Sequence, residues 1–173
     1  MSEKYGPQKH DHWPPYRTLT GTHLELALLS HDHAVDLAVA TSDGALHELW
    51  YTSVPHPDDI SDELNRRLEL RQLGMMLPYA VLETKIGKAV GMTTFMNIDA
   101  ATRRVDCIGV EFRTLILNHQ SRAAIERLGA HADGILRSHM IMANGTIRDT
   151  AIYSIIRSEW ATIKTHLSNK LGD

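Results

Sequence analysis

Apolar and polar residues change their spacing several times along this chain, and each change marks an element. Leu24, Leu26 and Leu28 alternate with His23, Glu25 and Ala27, the period of two of a half-buried strand, just after a Thr20-Gly21 turn. Ser30 then opens a helix over about 31–41, and Ser42-Asp43-Gly44 closes it. Pro55 and Pro57 break the chain after the aromatic stretch 48–53. Asp58, Asp59 and Ser61 start a second helix to about Leu73, stopped by Gly74. Its acids lie early and Arg66, Arg67 and Arg71 late, as the helix dipole favours. Segments 77–83 and 89–96 read as a hairpin around Ile86-Gly87.

The most regular stretch runs from Cys107 to Ala130. Ile108, Val110 and Phe112 alternate with Gly109, Glu111 and Arg113, which predicts a strand over 107–114. Leu115 to Leu117 bridge to Asn118, whose side-chain oxygen suits a helix N-cap. Gly129 supplies a left-handed stop after 123–127. Segments 135–142 and 147–155 predict a second hairpin, with Asn144-Gly145 favouring a type I′ turn, and a short helix follows from Ser158 to Leu167. The succession is a mixed α/β layout.

Composition narrows the picture. A chain of 173 residues suits one domain with one core, and 43% apolar and 23% charged residues suit a globular protein. A net charge of −3 argues against a nucleic-acid-binding face, and no apolar run reaches the ~20 residues of a membrane span. The lone Cys107 fits a reducing cytoplasm, the expected location. The eleven histidines do not make a metal site: His31 and His33 do not share a helix face, and no His-Glu-x-x-His spacing occurs. No nucleophile-elbow sequence supports a Ser-His-Asp hydrolase. The expected division is a flexible leader over 1–17, a domain over 18–168 and a tail over 169–173.

The strand–connector–capped helix–glycine unit, with Asn118, Ser121, Arg122, Ala123, Glu126, Leu128, Gly129 and Ala130, resembles the penultimate part of the GNAT superfamily of N-acetyltransferases. Its branch is that of the ribosomal-protein-alanine acetyltransferases (RimJ/RimL-like). The resemblance extends through Glu48 to Ser53, Arg148-Asp149-Thr150 and Tyr153-Ser154-Ile155, and covers nearly all of Leu19 to Leu167. It implies a GNAT-like mixed sheet flanked by helices. It also implies acetyl-CoA as co-substrate and acetyl transfer to a primary amine, on a protein N-terminus or a small molecule, by direct attack without an acyl-enzyme.

Roles follow from the same resemblance. Ser121 is implied as proton donor to the departing thiolate, Asn118 as a contact to the pantetheine arm, and Arg122 as a phosphate contact. Trp50, Tyr51 and Asn97 are implied as the amine pocket, and Asp106 as the base, with Glu48 and Glu111 as alternatives. Each residue also has a plainer reading. Asn118 and Ser121, three apart at a helix start, are what capping alone requires. Arg122 suits a solvated surface, Trp50 and Tyr51 a core under a loop, and Asn97 a turn.

One departure from the family pattern matters. Arg103-Arg104-Val105-Asp106 runs straight into Cys107-Ile108-Gly109, where the family has a glycine-bearing pyrophosphate loop and a long helix. A crossover of about 30 residues is missing. Either the protein lacks it or residues are absent from the sequence between about Val105 and Cys107. A true junction demands neighbouring Cα atoms about 3.8 Å apart. A true loss would strand an apolar sheet face and favour a homodimer, so the alternative function is a catalytically lapsed GNAT-like domain serving as a dimeric binding or interaction module.

Overall fold

The computed structural model describes residues 16–96, 108–142 and 144–172. Asn97, Asp106 and the Val105–Cys107 junction, together with most of the expected leader, lie outside them. The chain divides into two compact units, 1–47 with 54–105 and 48–53 with 106–173. Each has its own apolar cluster, where chain length alone led to the expectation of one core.

In the first unit, β1 (Leu19–Thr20), β2 (Leu24–Leu28), β3 (Met76–Glu83) and β4 (Lys88–Met96) form an antiparallel sheet in sequence order. Two helices, α1 (Ala34–Ser42) and α2 (Ile60–Gln72), pack on it through Leu37, Ile60 and Leu64 against Leu29, Ala80 and Ala89. A 3₁₀ turn, His31–His33, precedes α1. There the Ser30 N–H donates to His33 Nδ1 at 3.1 Å, so His33 serves as a cap. Gly74 ends α2 at φ 72°. Glu63 accepts from Arg66 Nε and Arg67 Nε, each at 2.7 Å, and Arg67 reaches Thr94 on β4.

The second unit carries β5 (Gly109–Leu115), α3 (His119–Arg127), β6 (His131–Ile141), β7 (Ile147–Ile156) and α4 (Trp160–Leu171). Its sheet runs β5-β7-β6, all antiparallel, so β7 is central. Ala151, Tyr153 and Ile155 occupy alternate positions of β7 and bury one face against Ile125 of α3 and Ile163 of α4. Gly129 turns the chain after α3 at φ 92°.

Three details differ from the pattern reading. Strand β6 begins at His131 rather than Ile135, and every residue of it is exposed; it is an edge strand whose register with β7 slips twice. The β6–β7 connection is not a two-residue type I′ turn: the Met142 N–H bonds the Thr146 carbonyl, and the Gly145 N–H bonds the Met142 carbonyl. Gly145 there takes φ 81°, the left-handed position of a bulged hairpin. Helix α4 continues to Leu171, beyond the expected Leu167.

Candidate active site

Helix α3 begins as its sequence predicts. The Asn118 side-chain oxygen accepts the Ser121 N–H at 2.9 Å, which satisfies one of the free first-turn donors. The bond uses the backbone of Ser121, not its hydroxyl. Among the described residues the half-buried Ser121 hydroxyl and the Asn118 carboxamide N–H₂ form no hydrogen bond. The plain capping account therefore explains Asn118 and leaves the serine hydroxyl without a structural task.

Arg122 stands one residue further on and makes a contact that neither reading of it contained. Its Nε–H donates to the Tyr153 hydroxyl at 2.8 Å and an NH1 proton to the Ile116 carbonyl at 3.2 Å. The Tyr153 O–H donates to the Glu126 carboxylate at 3.0 Å. Tyr153 is almost fully buried, so its polar tip needs such partners. The phenol oxygen, accepting from the guanidinium, raises the Arg122 pKa above its ordinary value. This chain of bonds fastens α3 to the central strand and to the connector after β5.

That connector has a second side. Leu115, Ile116 and Leu117 line a cleft of about 390 Å³ together with Trp50, residues 137–138 of β6, Met142, Thr146 and residues 147–149 at the start of β7. The Ile116 N–H bonds the Asp149 carbonyl, so two of these lining segments are joined. Opposite lies a bulge: between Leu136 and Met140 the β6 register slips, and Ser138 adopts φ 50°. The Asp149 carboxylate accepts the Ser138 N–H at 2.7 Å and holds this strained turn in place. Below it, Arg148 Nε donates to the buried Thr150 hydroxyl at 3.1 Å, which also pairs with His139 Nδ1 at 3.0 Å. Burial lowers the Arg148 pKa from its ordinary value.

The remaining sequence-named residues divide. Trp50 lines the cleft with half its surface exposed, so it is not a core aromatic; Tyr51 packs edge-on against it, with ring centroids 5.8 Å apart. Glu111 is exposed on β5 and ion-paired with Arg113 two residues along the same strand face. Glu48 is exposed. Asp106 and Asn97 lie outside the described residues. Among the described residues no group of three or more His, Cys, Asp or Glu could hold a metal ion. The sequence reading did not assign roles to Arg137, Ser138, Arg148 and Asp149. Their signal was present as a polar interruption, Arg148-Asp149-Thr150, at the head of an otherwise apolar strand.

Comparison with known proteins bears on the arrangement as a whole. No family model and no curated protein matches the sequence. Solved structures do. A GCN5-related N-acetyltransferase from Brucella melitensis superposes with a TM-score of 0.74 over 88% of this chain and 84% of its own, at 24% identity. The fold is that of the GNAT acetyltransferases. The ribosomal-protein-S5-alanine acetyltransferase from Vibrio fischeri is similar at TM-score 0.60, 14% identity, 83% of this chain and 98% of its own. RimL, a ribosomal L7/L12 alpha-N-protein acetyltransferase in complex with coenzyme A, matches at 0.61 and 15%, over 81% of this chain and 98% of its own. The GNAT-like architecture expected from the capped-helix unit is therefore present. At these identities the likeness is one of fold, and no helix of the described residues is long and apolar enough to cross a membrane.

Proposed function

We propose that the protein is an N-acetyltransferase that moves the acetyl group of acetyl-CoA to a primary amine, on a protein N-terminus or a small molecule. The observation that carries this reading is the Ser121 hydroxyl: it sits half-buried in the first turn of α3, spared from capping, in a chain whose fold is that of acetyltransferases. That RimL was solved with coenzyme A supports acetyl-CoA as the donor.

The start of α3 fits a thioester's arm because it offers a hydroxyl and a carboxamide N–H₂ that no other described residue uses. Acetyl-CoA would supply the activated carbonyl. A neutral amine nitrogen attacks that carbon, the C–N bond forms and the C–S bond breaks. Ser121 delivers its hydroxyl proton to the leaving thiolate as the proton of the new ammonium passes to a base; the base then releases that proton to water and Ser121 regains one from water, so both groups end as they began. Asp106 is the proposed base. Asn118 is the proposed contact to the pantetheine arm, with Arg122 beside it keeping only the guanidinium donors not bound to Tyr153 and Ile116 for a phosphate. Trp50, with Tyr51 behind it and Asn97, is proposed to bound the amine pocket.

A thiol-release assay with acetyl-CoA and a panel of amines tests the assignment. Ser121→Ala leaves the Asn118 cap bond intact, since that bond uses a backbone N–H, so its melting temperature stays close to wild type. Its kcat falls by roughly 10²-fold or more if the hydroxyl delivers the proton. An unchanged kcat would remove Ser121 from the mechanism. A second reading, a lapsed domain that pairs with its own copy, draws on β6: Ile135, Leu136, Met140 and Ile141 are exposed along an edge strand. A dimer by light scattering with no acetyl-CoA binding would favour it.

A further inference from the structure

The cleft contains more positive charge than its own residues satisfy. Arg137 and Arg148 both line it, and among the described residues neither guanidinium has a carboxylate partner. The one acid in the lining, Asp149, already accepts the Ser138 N–H. Arg148 lines the cleft and is anchored through Nε to the buried Thr150 hydroxyl, a bond that leaves its terminal N–H groups for another acceptor. Burial already disfavours the charge of Arg148, and a partly desolvated guanidinium regains most from an oxyanion held by two parallel N–H bonds. Trp50 adds a large apolar plate on another wall, where it can cover the carbon skeleton of a small guest.

We infer that this cleft selects an amine that also carries a carboxylate, with Arg148 gripping the carboxylate in the fork of its terminal nitrogens and Arg137 adding charge at the rim. As an assignment of the acceptor it rests on the acetyltransferase reading; as a carboxylate site it stands on the cleft alone. The shape of the fork matters: a planar oxyanion gains two aligned bonds, and a lysine in place of Arg148 keeps the charge but loses the pair.

The test is a titration of the full chain, without acetyl-CoA, with glutarate as probe and neutral glutaramide as its isostere, followed through the arginine Nε–H signals by NMR. Glutarate is expected to shift the Arg148 signal saturably, and glutaramide to leave it in place. Arg148→Lys should weaken glutarate binding by about tenfold or more, read by calorimetry. No saturable shift with glutarate, an equal shift with glutaramide, or undiminished binding in Arg148→Lys would each overturn the assignment. A chain that binds glutarate yet does not bind acetyl-CoA sinks the acetyltransferase reading and leaves the carboxylate site. One that binds acetyl-CoA and ignores glutarate does the reverse.

Discussion

At the scale of single residues, the structure separates roles that adjacent positions confuse. Asn118 and Ser121 share one hydrogen bond, but only the asparagine contributes a side chain to it. Asn118→Ala should therefore cost about 1 kcal/mol in a denaturant melt, whereas Ser121→Ala should cost a few tenths at most. The sequence suggested both residues and could not divide them, because capping and catalysis call for the same residue types at the same spacing. Arg122 was legible only as a charge; its bond to Tyr153 joins residues 31 apart, and no local pattern shows that. The same holds for Arg148, whose position in a cleft wall depends on the slipped register of β6.

Glu63 gives a pH-dependent effect of known sign. The hydrogen bond from Arg66, outweighing the opposing effect of burial, holds its carboxyl below the usual value, with Arg67 adding to the pull. The folded state thus binds this proton less readily than the unfolded one. The contribution is present above the unfolded value of 4.5 and disappears as pH falls through the folded value. Glu63→Gln should destabilise the protein by about 1 kcal/mol at most near neutral pH, and the gap to wild type should narrow as pH falls below 4.5. Thermal melts across that range check it; a gap of constant size would contradict the assignment.

At the scale of elements, the second unit depends on how α3 ends as much as on how it starts. Gly129 has φ 92°, and a Cβ there would lie 3.1 Å from Cγ1 of buried Ile163 on α4. Gly129→Ala thus combines an unfavourable backbone with a clash against a side chain held in the core, and should cost about 1–3 kcal/mol in chemical denaturation. Both helices of the first unit, its central hairpin and this glycine stop were all legible as local chemistry: caps, dipole-matched charges and turn residues. The β6–β7 loop was not. Asn144-Gly145 favours a two-residue turn, but the pairing of Met142 with Thr146 enforces a longer one, and hydrogen bonding across the hairpin decides between them. Strand β6 was legible as one arm of a hairpin, but its exposure throughout was not, since burial depends on what covers a strand.

At the scale of the whole molecule, the resemblance, clearest in the stretch from Cys107 to Ala130 and covering nearly all of Leu19 to Leu167, implied the architecture, and the superposition on a solved acetyltransferase over 88% of the chain agrees with it. The resemblance implies a loop and helix that would grip a pyrophosphate between the Arg103-Arg104 segment and β5, where the sequence runs directly from Asp106 to Cys107. The proposed acetyl transfer requires that the start of α3 hold the donor. The decisive measurement is a calorimetric titration of the full-length chain with acetyl-CoA. The account predicts saturable binding of one acetyl-CoA per chain, weakened by Asn118→Ala through its carboxamide. No heat of binding at about millimolar acetyl-CoA, a ligand level that would populate even a weak site, would contradict it.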